Sequence, residues 1–451
     1  MSPQARRTLA AVLLLALGVR LALFTGLQVG DDVVYSRIAV DRLEGRVQFG
    51  NVQETRLGFL LPITASYALF GPGELPLVLY NLLCSVGLAG ALFLLARRFF
   101  GDRAGALAGS LAAVHPNLVT FATECHTDMP VAFWQALAVL AVAAGSGGAR
   151  FTLAGLLAGW AYLHKESALF VLPALLVPGT WRERLLLVLP VAGVAVGEMT
   201  FYGLFEGNPL HRIHLVGVWH SGLYMVERYP TTAAILDRLF LDLPRQLFTP
   251  YWGGRWQGTI HLLGLGAGAW LLARRVPGAR LVARWWAAVF LLTCLWPSSW
   301  MPFRPGFVLF EWTLPVLIGP LLVLLGAALG RARPVPAAAA AVLLAGMSLA
   351  TARVAWKDAR RFAQGAREAR SWIADERPAR VATDEKTAEA LDFLEGHRPR
   401  ARVGTSLPAD AVIVDRFWTE PGRWWTRPEA PRPPPGWRRV YGSPRLEIYA
   451  P

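Results

Sequence analysis

"LPLVLYNLLCSVGLAGALFLLARRFFGDR" occupies residues 75–103, and its two parts ask for different solvents. From Leu75 to Ala96 there is no charged residue. At about 1.5 Å per residue such a helix crosses a hydrocarbon layer roughly 30 Å thick. Arg97, Arg98 and Arg103 then follow, with Asp102 the lone acid among them. Arginines crowded behind an apolar run are the mark of a span whose end faces the cytoplasm.

The same alternation recurs along the chain. Of its 451 residues 54% are hydrophobic and 17% charged, with 18 Trp and 22 Phe. A soluble protein of this size cannot bury so much apolar surface, so the bilayer is the expected solvent. Apolar segments near 9–27, 75–96, 104–122, 129–144, 151–163, 167–180, 185–205, 258–273, 285–301, 306–329 and 335–352 predict about eleven spans. The first follows Arg6 and Arg7 without a small-residue cleavage site and is read as a retained span rather than a leader. The net charge of +14 does not point to nucleic acid, because no basic stripe is interleaved with polar and aromatic residues. Of three cysteines, Cys84 and Cys294 lie in apolar runs, which argues against a disulfide or a cysteine metal site.

With the N-terminus inside, the inner turns hold Arg97, Arg98 and Arg103, then Arg150, Arg182 and Arg184. Arg274, Arg275, Arg280, Arg284, Arg331 and Arg333 come after these, and the only acids among them are Asp102 and Glu183. The opposite face carries Asp31, Asp32, Glu54, Glu124, Asp128 and Glu166. An odd number of spans then places the tail outside. That tail changes character after Ala352. "WKDARRFAQGAREARSWIADE" reads as an amphipathic helix, "RVATD" and "AVIVDRF" as strands, "TAEALDFLEG" as a helix, and "WRRVYGSPRLEIYA" as a hairpin. The expected architecture is mainly α: a polytopic helix bundle over 1–354, with outer loops 28–58 and 206–257, and a small extracytoplasmic α/β domain over 355–451. Within the second loop Ile235, Leu239, Leu243 and Leu247 recur every four residues and predict an interfacial helix interrupted at Pro244.

The concentrated polar chemistry lies on the predicted outer edge. In "GDDVVYSRIAVDRLEG" Asp31 and Asp32 precede an amphipathic stretch, where they could cap a helix or do chemistry. "TECHTDMPVAFW" brings Glu124, His126 and Asp128, the last also suited to begin a helix. "YLHKESALF" sets His164, Lys165 and Glu166 between short apolar segments. Lys165 is the only lysine of the membrane part, suited to an ion pair or to a substrate contact. Arg56 and Arg304 complete the outer cations. His211 and His214 lack a third ligand for zinc, and Glu198 and Glu311, inside apolar runs, must face protein or water. Carboxylates and cations from separate segments on one membrane face suit a reaction between a lipid-linked phosphate and a hydroxyl. A carboxylate takes the acceptor proton, cations neutralise the departing phosphate, and apolar helices hold the lipid tail.

The order of these motifs resembles the C-type (GT-C) integral-membrane glycosyltransferases, close to the protein O-mannosyltransferase and lipid A aminoarabinose transferase branch. The resemblance spans residues 8–330 and runs through "GDDVVYSRIA", "RLGFLLPITASYALFGPGELPLVLYNLL", "LLARRFFGDRAGALAGSLAAVHPNLVTFATECHTDMP" and "GWAYLHKESALFVLPALL". It implies a polyprenyl-phosphate sugar donor, a lipid, glycan or protein acceptor, and inverting transfer outside the cytoplasmic membrane. Asp31 matches the first acid of the family's pair, the catalytic base, and Asp32 the second, which supports it. Arg56 matches a cation at the end of the first loop, Glu124 and Asp128 acids of the second outer loop, and Lys165 a cation before the next span. Arg304 falls where the family often has Arg-Tyr, but Pro305 follows here. No cofactor is expected, although Asp31, Asp32 and Asp128 could hold a divalent cation through oxygen ligands. Two other classes fit many spans with few charges: a transporter or flippase of lipid-linked sugars, and a non-catalytic membrane subunit. The first usually shows broken half-helices and an internal repeat, and neither is visible here.

Overall fold

The computed structural model describes residues 1–144, 147–221, 231–237, 240–241, 255–295, 297–300, 303–305, 314–397, 402–405, 409–419 and 432–451. Helices α1 (Pro3–Ala22), α2 (Asp31–Leu43), α3 (Leu57–Phe70), α4 (Glu74–Phe100), α5 (Asp102–Val114) and α6 (Pro116–Thr120) open the chain. α7 (Asp128–Ala144), α8 (Ala149–Tyr162), a 3-10 segment Glu166–Val171, α9 (Leu172–Leu176), α10 (Trp181–Glu206) and α11 (His211–Ser221) follow. Further helices cover Thr232–Asp237, Arg255–Ala273, Ala279–Leu295, Leu314–Arg331 and Pro334–Ala359. A two-stranded pair, β1 (Pro297–Trp300) with β2 (Phe303–Pro305), stands between the third and fourth of these.

Each apolar run read from the sequence carries helix among the described residues. Among the described residues three helices, Glu74–Phe100, Trp181–Glu206 and Pro334–Ala359, are long and apolar enough to cross a membrane by themselves. Others are shorter, and one of them, α3, lies outside the apolar runs that predict spans and carries Pro62 in its interior. The predicted interfacial helix around Leu239, Leu243, Pro244 and Leu247 lies mostly outside the described residues, as does Glu311.

The chain divides into two compact units. The first comprises Met1–Phe24, Gln48–Phe59 and Tyr80–Ala355. Its core is built where small residues let helices approach. A Cβ on Gly155 of α8 would run into the Leu187 carbonyl of α10, and one on Gly105 of α5 would lie 2.8 Å from the Phe93 carbonyl of α4. Arg20, inside α1, is fully buried and satisfied. Its guanidinium donates to Ser85 Oγ at 2.7 Å and to the Ala16 and Ala113 carbonyls at 2.9 and 2.8 Å, the arrangement a buried charge needs in an apolar bundle. The two acids of the arginine-rich turns are paired too, Asp102 with Arg97 at 2.5 Å and Glu183 with Arg150 at 3.4 Å.

The second unit comprises Thr25–Val47, Leu60–Leu79 and Trp356–Pro451. The tail therefore shares its core with α2 and with parts of α3 and α4. Its sheet contains β3 (Arg380–Ala382), β4 (Arg402–Gly404), β5 (Ala411–Asp415), β6 (Arg438–Gly442) and β7 (Leu446–Ala450) in the order β4-β3-β5-β7-β6. β3 is parallel to β4 and β5, whereas β7 is antiparallel to β5 and β6. The apolar run "AVIVD" makes β5 the central strand, as an unbroken apolar stretch should, and the Gly-Ser-Pro turn closes the predicted β6–β7 hairpin. β4 had no recognisable strand signal. Helices Gln364–Glu376 and Glu385–Leu394 pack on the sheet side of this unit, the latter capped by Asp384, which accepts from Thr387 N at 2.9 Å. The predicted amphipathic helix starting near Trp356 is interrupted instead between Ala359 and Gln364. The turn keeps a backbone bond from Phe362 N to Ala359 O at 3.0 Å, and side chains add to it, Gln28 Nε2 donating to Ala359 O at 3.2 Å and Arg445 to Phe362 O at 3.5 Å.

Candidate functional site

The two predicted acids stand at the start of α2 in the second unit. Gly30, with φ 95°, takes the cap position, so neither aspartate is the N-cap. Both occupy the first helical turn, where a carboxylate gains from the helix dipole. Their surroundings differ sharply. Asp32 is buried, and its Oδ2 accepts the Gln28 N–H at 2.7 Å, while Asp31 is half-exposed. The turn before them is held from several sides. Gln28 Nε2 donates to Gly26 O at 3.4 Å as well as to Ala359 O, and Leu27 N donates to Glu74 Oε1 at 3.3 Å. Glu74 in turn pairs with Arg367 at 2.5 Å. A side chain on Gly26, at φ 73°, would meet that guanidinium at 2.6 Å, which explains why the chain turns on a glycine there.

The remaining predicted residues belong to the first unit. Asp128 begins α7, and Lys165 follows α8 in an extended conformation. Lys165 Nζ donates to Asp128 Oδ1 at 3.0 Å and to Oδ2 at 2.9 Å, with both side chains nearly buried. The ion pair foreseen for this lysine is formed, and two of its three N–H donors are taken by it. His164 is buried, its Nδ1 2.8 Å from Trp160 O and its Nε2 2.7 Å from Tyr80 Oη, a hydroxyl that also accepts from Trp134 Nε1 at 2.8 Å. That places His164 as a strut between α8 and α4. Glu124 lies 3.5 Å from His126, and Asn81 pins their turn by donating to both carbonyls at 2.6 and 2.9 Å.

Arg56 is half-buried on a loop that leans on the lysine segment, since Gly58 N donates to Leu163 O at 3.0 Å. The same loop is held by Tyr202, whose hydroxyl donates to Thr55 O at 2.9 Å, and by His211, 2.6 Å from Phe49 O. His211 is thereby accounted for as a loop anchor. Arg304 sits in β2, paired with Ser299 in the strand register. So Arg56, Asp128, His164, Lys165 and Glu166 are brought to one neighbourhood of the first unit.

Sequence reasoning missed Arg212 of α11. Its buried guanidinium donates to Glu198 Oε1 at 2.7 Å and to Tyr162 O at 2.9 Å, lies 3.5 Å from Glu166, and stacks 4.8 Å from the Tyr162 ring. The signal that points to it is Glu198 itself, an acid inside an apolar helix that requires a counter-charge. Among the described residues no group of three or more His, Cys, Asp or Glu is placed to hold a metal.

Residues 57–201 match the family model described as dolichyl-phosphate-mannose-protein mannosyltransferase. Among curated protein sequences none matches the chain. Solved structures share its fold over nearly its whole length. ArnT from Cupriavidus metallidurans in the apo state is 17% identical with a TM-score of 0.61, covering 98% of this chain and 97% of that one. The same protein bound to undecaprenyl phosphate covers 100% and 98%, at 17% identity and a TM-score of 0.55. The oligosaccharyltransferase AglB from Archaeoglobus fulgidus, in complex with an inhibitory peptide and a dolichol-phosphate, is 13% identical with a TM-score of 0.50, covering 92% and 70%. This chain is a membrane protein with the fold of the GT-C integral-membrane glycosyltransferases, and its residues 57–201 match the mannosyltransferase family model.

Proposed function

We propose that the protein is an inverting glycosyltransferase that moves a sugar from a polyprenyl-phosphate donor to a hydroxyl acceptor on a lipid, glycan or protein. The observation that carries this reading is the asymmetry of the two acids. A half-exposed Asp31 can receive a proton, and a buried Asp32 tied to the Gln28 backbone holds the turn in place. In the reaction the acceptor oxygen attacks the anomeric carbon as its proton passes to the Asp31 carboxylate. The bond from that carbon to the phosphate oxygen breaks, and polyprenyl phosphate leaves with the electron pair. One base and a stabilised leaving group suffice for inversion, without the closely spaced nucleophile of a retaining enzyme.

Arg56 and Lys165 are assigned to the leaving phosphate, Glu124, Asp128, His164 and Glu166 to shaping and holding its surroundings, and Arg304 to the substrate side. Two relatives of this fold were solved with polyprenyl-type phosphates, ArnT with undecaprenyl phosphate and AglB with a dolichol-phosphate, which supports a lipid-phosphate donor. The arginine bias of alternate turns supports an active site and tail outside the cytoplasmic membrane. The composition change near residue 355 marks the start of the tail, which forms the C-terminal part of the second unit together with Thr25–Val47 and Leu60–Leu79.

The test uses purified protein with a panel of isotope-labelled polyprenyl-phosphate hexoses and pentoses. Release of polyprenyl phosphate with transfer of label is expected. Movement of intact lipid between vesicle leaflets without release would replace transfer by transport.

A further inference from the structure

Five side chains of the second unit form one hydrogen-bonded chain that the proposed chemistry leaves unused. Tyr67 Oη and Ser36 Oγ are 2.7 Å apart, and Ser36 Oγ is 2.8 Å from His397 Nε2. His397 Nδ1 lies 2.5 Å from Asp392 Oδ2, which also accepts from Arg37 at 2.5 Å. Serine, histidine and carboxylate in this order have the connectivity of a nucleophilic triad. Yet Ser36 is 0% exposed, in the middle of α2, with Tyr67 on its other side. No substrate reaches it, so the chain is a link rather than a second active centre.

Its geometry is costly to build. His397 follows the Glu385–Leu394 helix at φ 58°, directly after Gly396 at φ 68°. This region is strained for a residue with a Cβ. The turn is locked by His397 N donating to Asp392 O and Gly396 N to Phe393 O, both at 2.8 Å, and the Phe393 ring stands edge-on to the imidazole. The turn aims the imidazole at Ser36, with Nε2 2.8 Å from its hydroxyl. Burial alone would raise the Asp392 carboxyl, but the hydrogen bond from His397 and the charge of Arg37 bring it below the usual carboxylate range. The carboxylate is thus a fixed acceptor for one imidazole nitrogen and leaves the other for Ser36. Ser36 stands four residues after Asp32 on the same helix, hence on the same face of α2.

We propose that His397 is a positioning residue. Through Ser36 it fixes the rotation of α2 and so the direction of the Asp31 carboxylate, with Asp392 setting its tautomer and Tyr67 closing the chain from α3. This rests on the reading of Asp31 as the base, and it makes the tail a part of the catalytic apparatus rather than an appendage. A link that orients a base without touching substrate changes turnover and leaves donor affinity alone.

The experiment uses the full-length protein in nanodiscs, as wild type, His397→Ala, His397→Asn and Asp392→Asn. Asparagine tolerates the left-handed backbone and keeps a polar group for Ser36. Hydrogen exchange read by mass spectrometry should show faster exchange over residues 31–43 in His397→Ala, by about tenfold or more, with 364–376 unchanged. With a labelled polyprenyl-phosphate hexose or pentose that the wild type turns over, kcat should fall about tenfold or more in His397→Ala at unchanged KM. His397→Asn should recover much of it, and Asp392→Asn should fall between. Unaltered exchange over 31–43 overturns the proposal whatever the activity. A fall in KM-dependent binding alone, or a collapse of exchange protection throughout the tail, assigns His397 to substrate contact or to general stability and overturns it too. Absence of turnover by the wild type with every donor strikes the transferase reading instead, and the exchange result still decides whether His397 holds α2.

Discussion

Replacing Lys165 by methionine removes a cation while keeping an unbranched apolar stem, and two separate consequences can be worked out. An ammonium has three N–H donors. Asp128 takes two of them, at 3.0 and 2.9 Å, which leaves one for a donor phosphate. Losing one charge-assisted hydrogen bond costs about 1.5–3 kcal/mol, or about ten- to a hundredfold in affinity for the lipid phosphate. The same substitution strands the Asp128 carboxylate, whose side chain is only 4% exposed. Breaking a buried pair from one side costs about 3–5 kcal/mol of stability. The double variant Lys165→Met/Asp128→Asn separates the two effects, because a neutral amide no longer needs a counter-charge. Thermal unfolding in one detergent should show the single variant clearly less stable and the double variant largely recovered. Undecaprenyl phosphate binding, followed by native mass spectrometry, should stay weak in both. Additive stability losses would refute the buried pair as an energetic unit, and undiminished lipid-phosphate binding would return Lys165 to a purely structural role.

Two further outcomes concern the tail. Asp415 is fully buried beside Arg445, and burial pushes its carboxyl up to about 6 despite the pull of that guanidinium. A carboxyl whose folded value is raised stabilises the fold fully below its unfolded value near 4, and that contribution is lost as pH rises through 6. Hydrogen-exchange protection of residues 411–415, corrected for intrinsic rate, should therefore fall between pH 4 and 6, with a total effect on the order of 2–3 kcal/mol. Asp415→Asn should flatten that slope, and an unchanged slope would contradict the assignment. Gly365→Ala should destabilise the same region by about 1–3 kcal/mol, since the added Cβ would collide with the Asp415 carboxylate. A tail as stable as wild type in exchange measurements would show that the helix can shift to make room.

How much was legible beforehand follows from the range of the forces involved. Apolar runs and arginine turns are local, so the helices of the bundle and the pairing of Asp102 with Arg97 could be anticipated from neighbours in sequence. Strands β3, β5, β6 and β7 carry alternation or an unbroken apolar run, and they too were visible, whereas β4 is three residues long and shows neither. Long-range partners leave no periodic trace. Glu74 with Arg367, Ser36 with His397 and Gln28 with the Ala359 carbonyl join segments hundreds of residues apart, so the membership of α2 in the tail's unit could not be read. The position of Asp31 and Asp32 at a helix start was legible, but their unequal burial was not, because it depends on that packing. Arg212 lay in a loop that looked merely interfacial, although Glu198 had already signalled a missing cation.

The central claim is that Asp31 acts as the base and Asp32 as its support, and one comparison tests it most directly. Wild type, Asp31→Asn and Asp32→Asn are purified in parallel, and polyprenyl phosphate release from a labelled donor is timed for each. Asparagine keeps the shape and the polar oxygen at the start of α2 and removes only the capacity to take a proton. Asp31→Asn should therefore fold, bind undecaprenyl phosphate as wild type does and lose about 10²–10⁴-fold in turnover, while Asp32→Asn should lose less. A well-folded Asp31→Asn protein that releases polyprenyl phosphate at the wild-type rate would contradict the account.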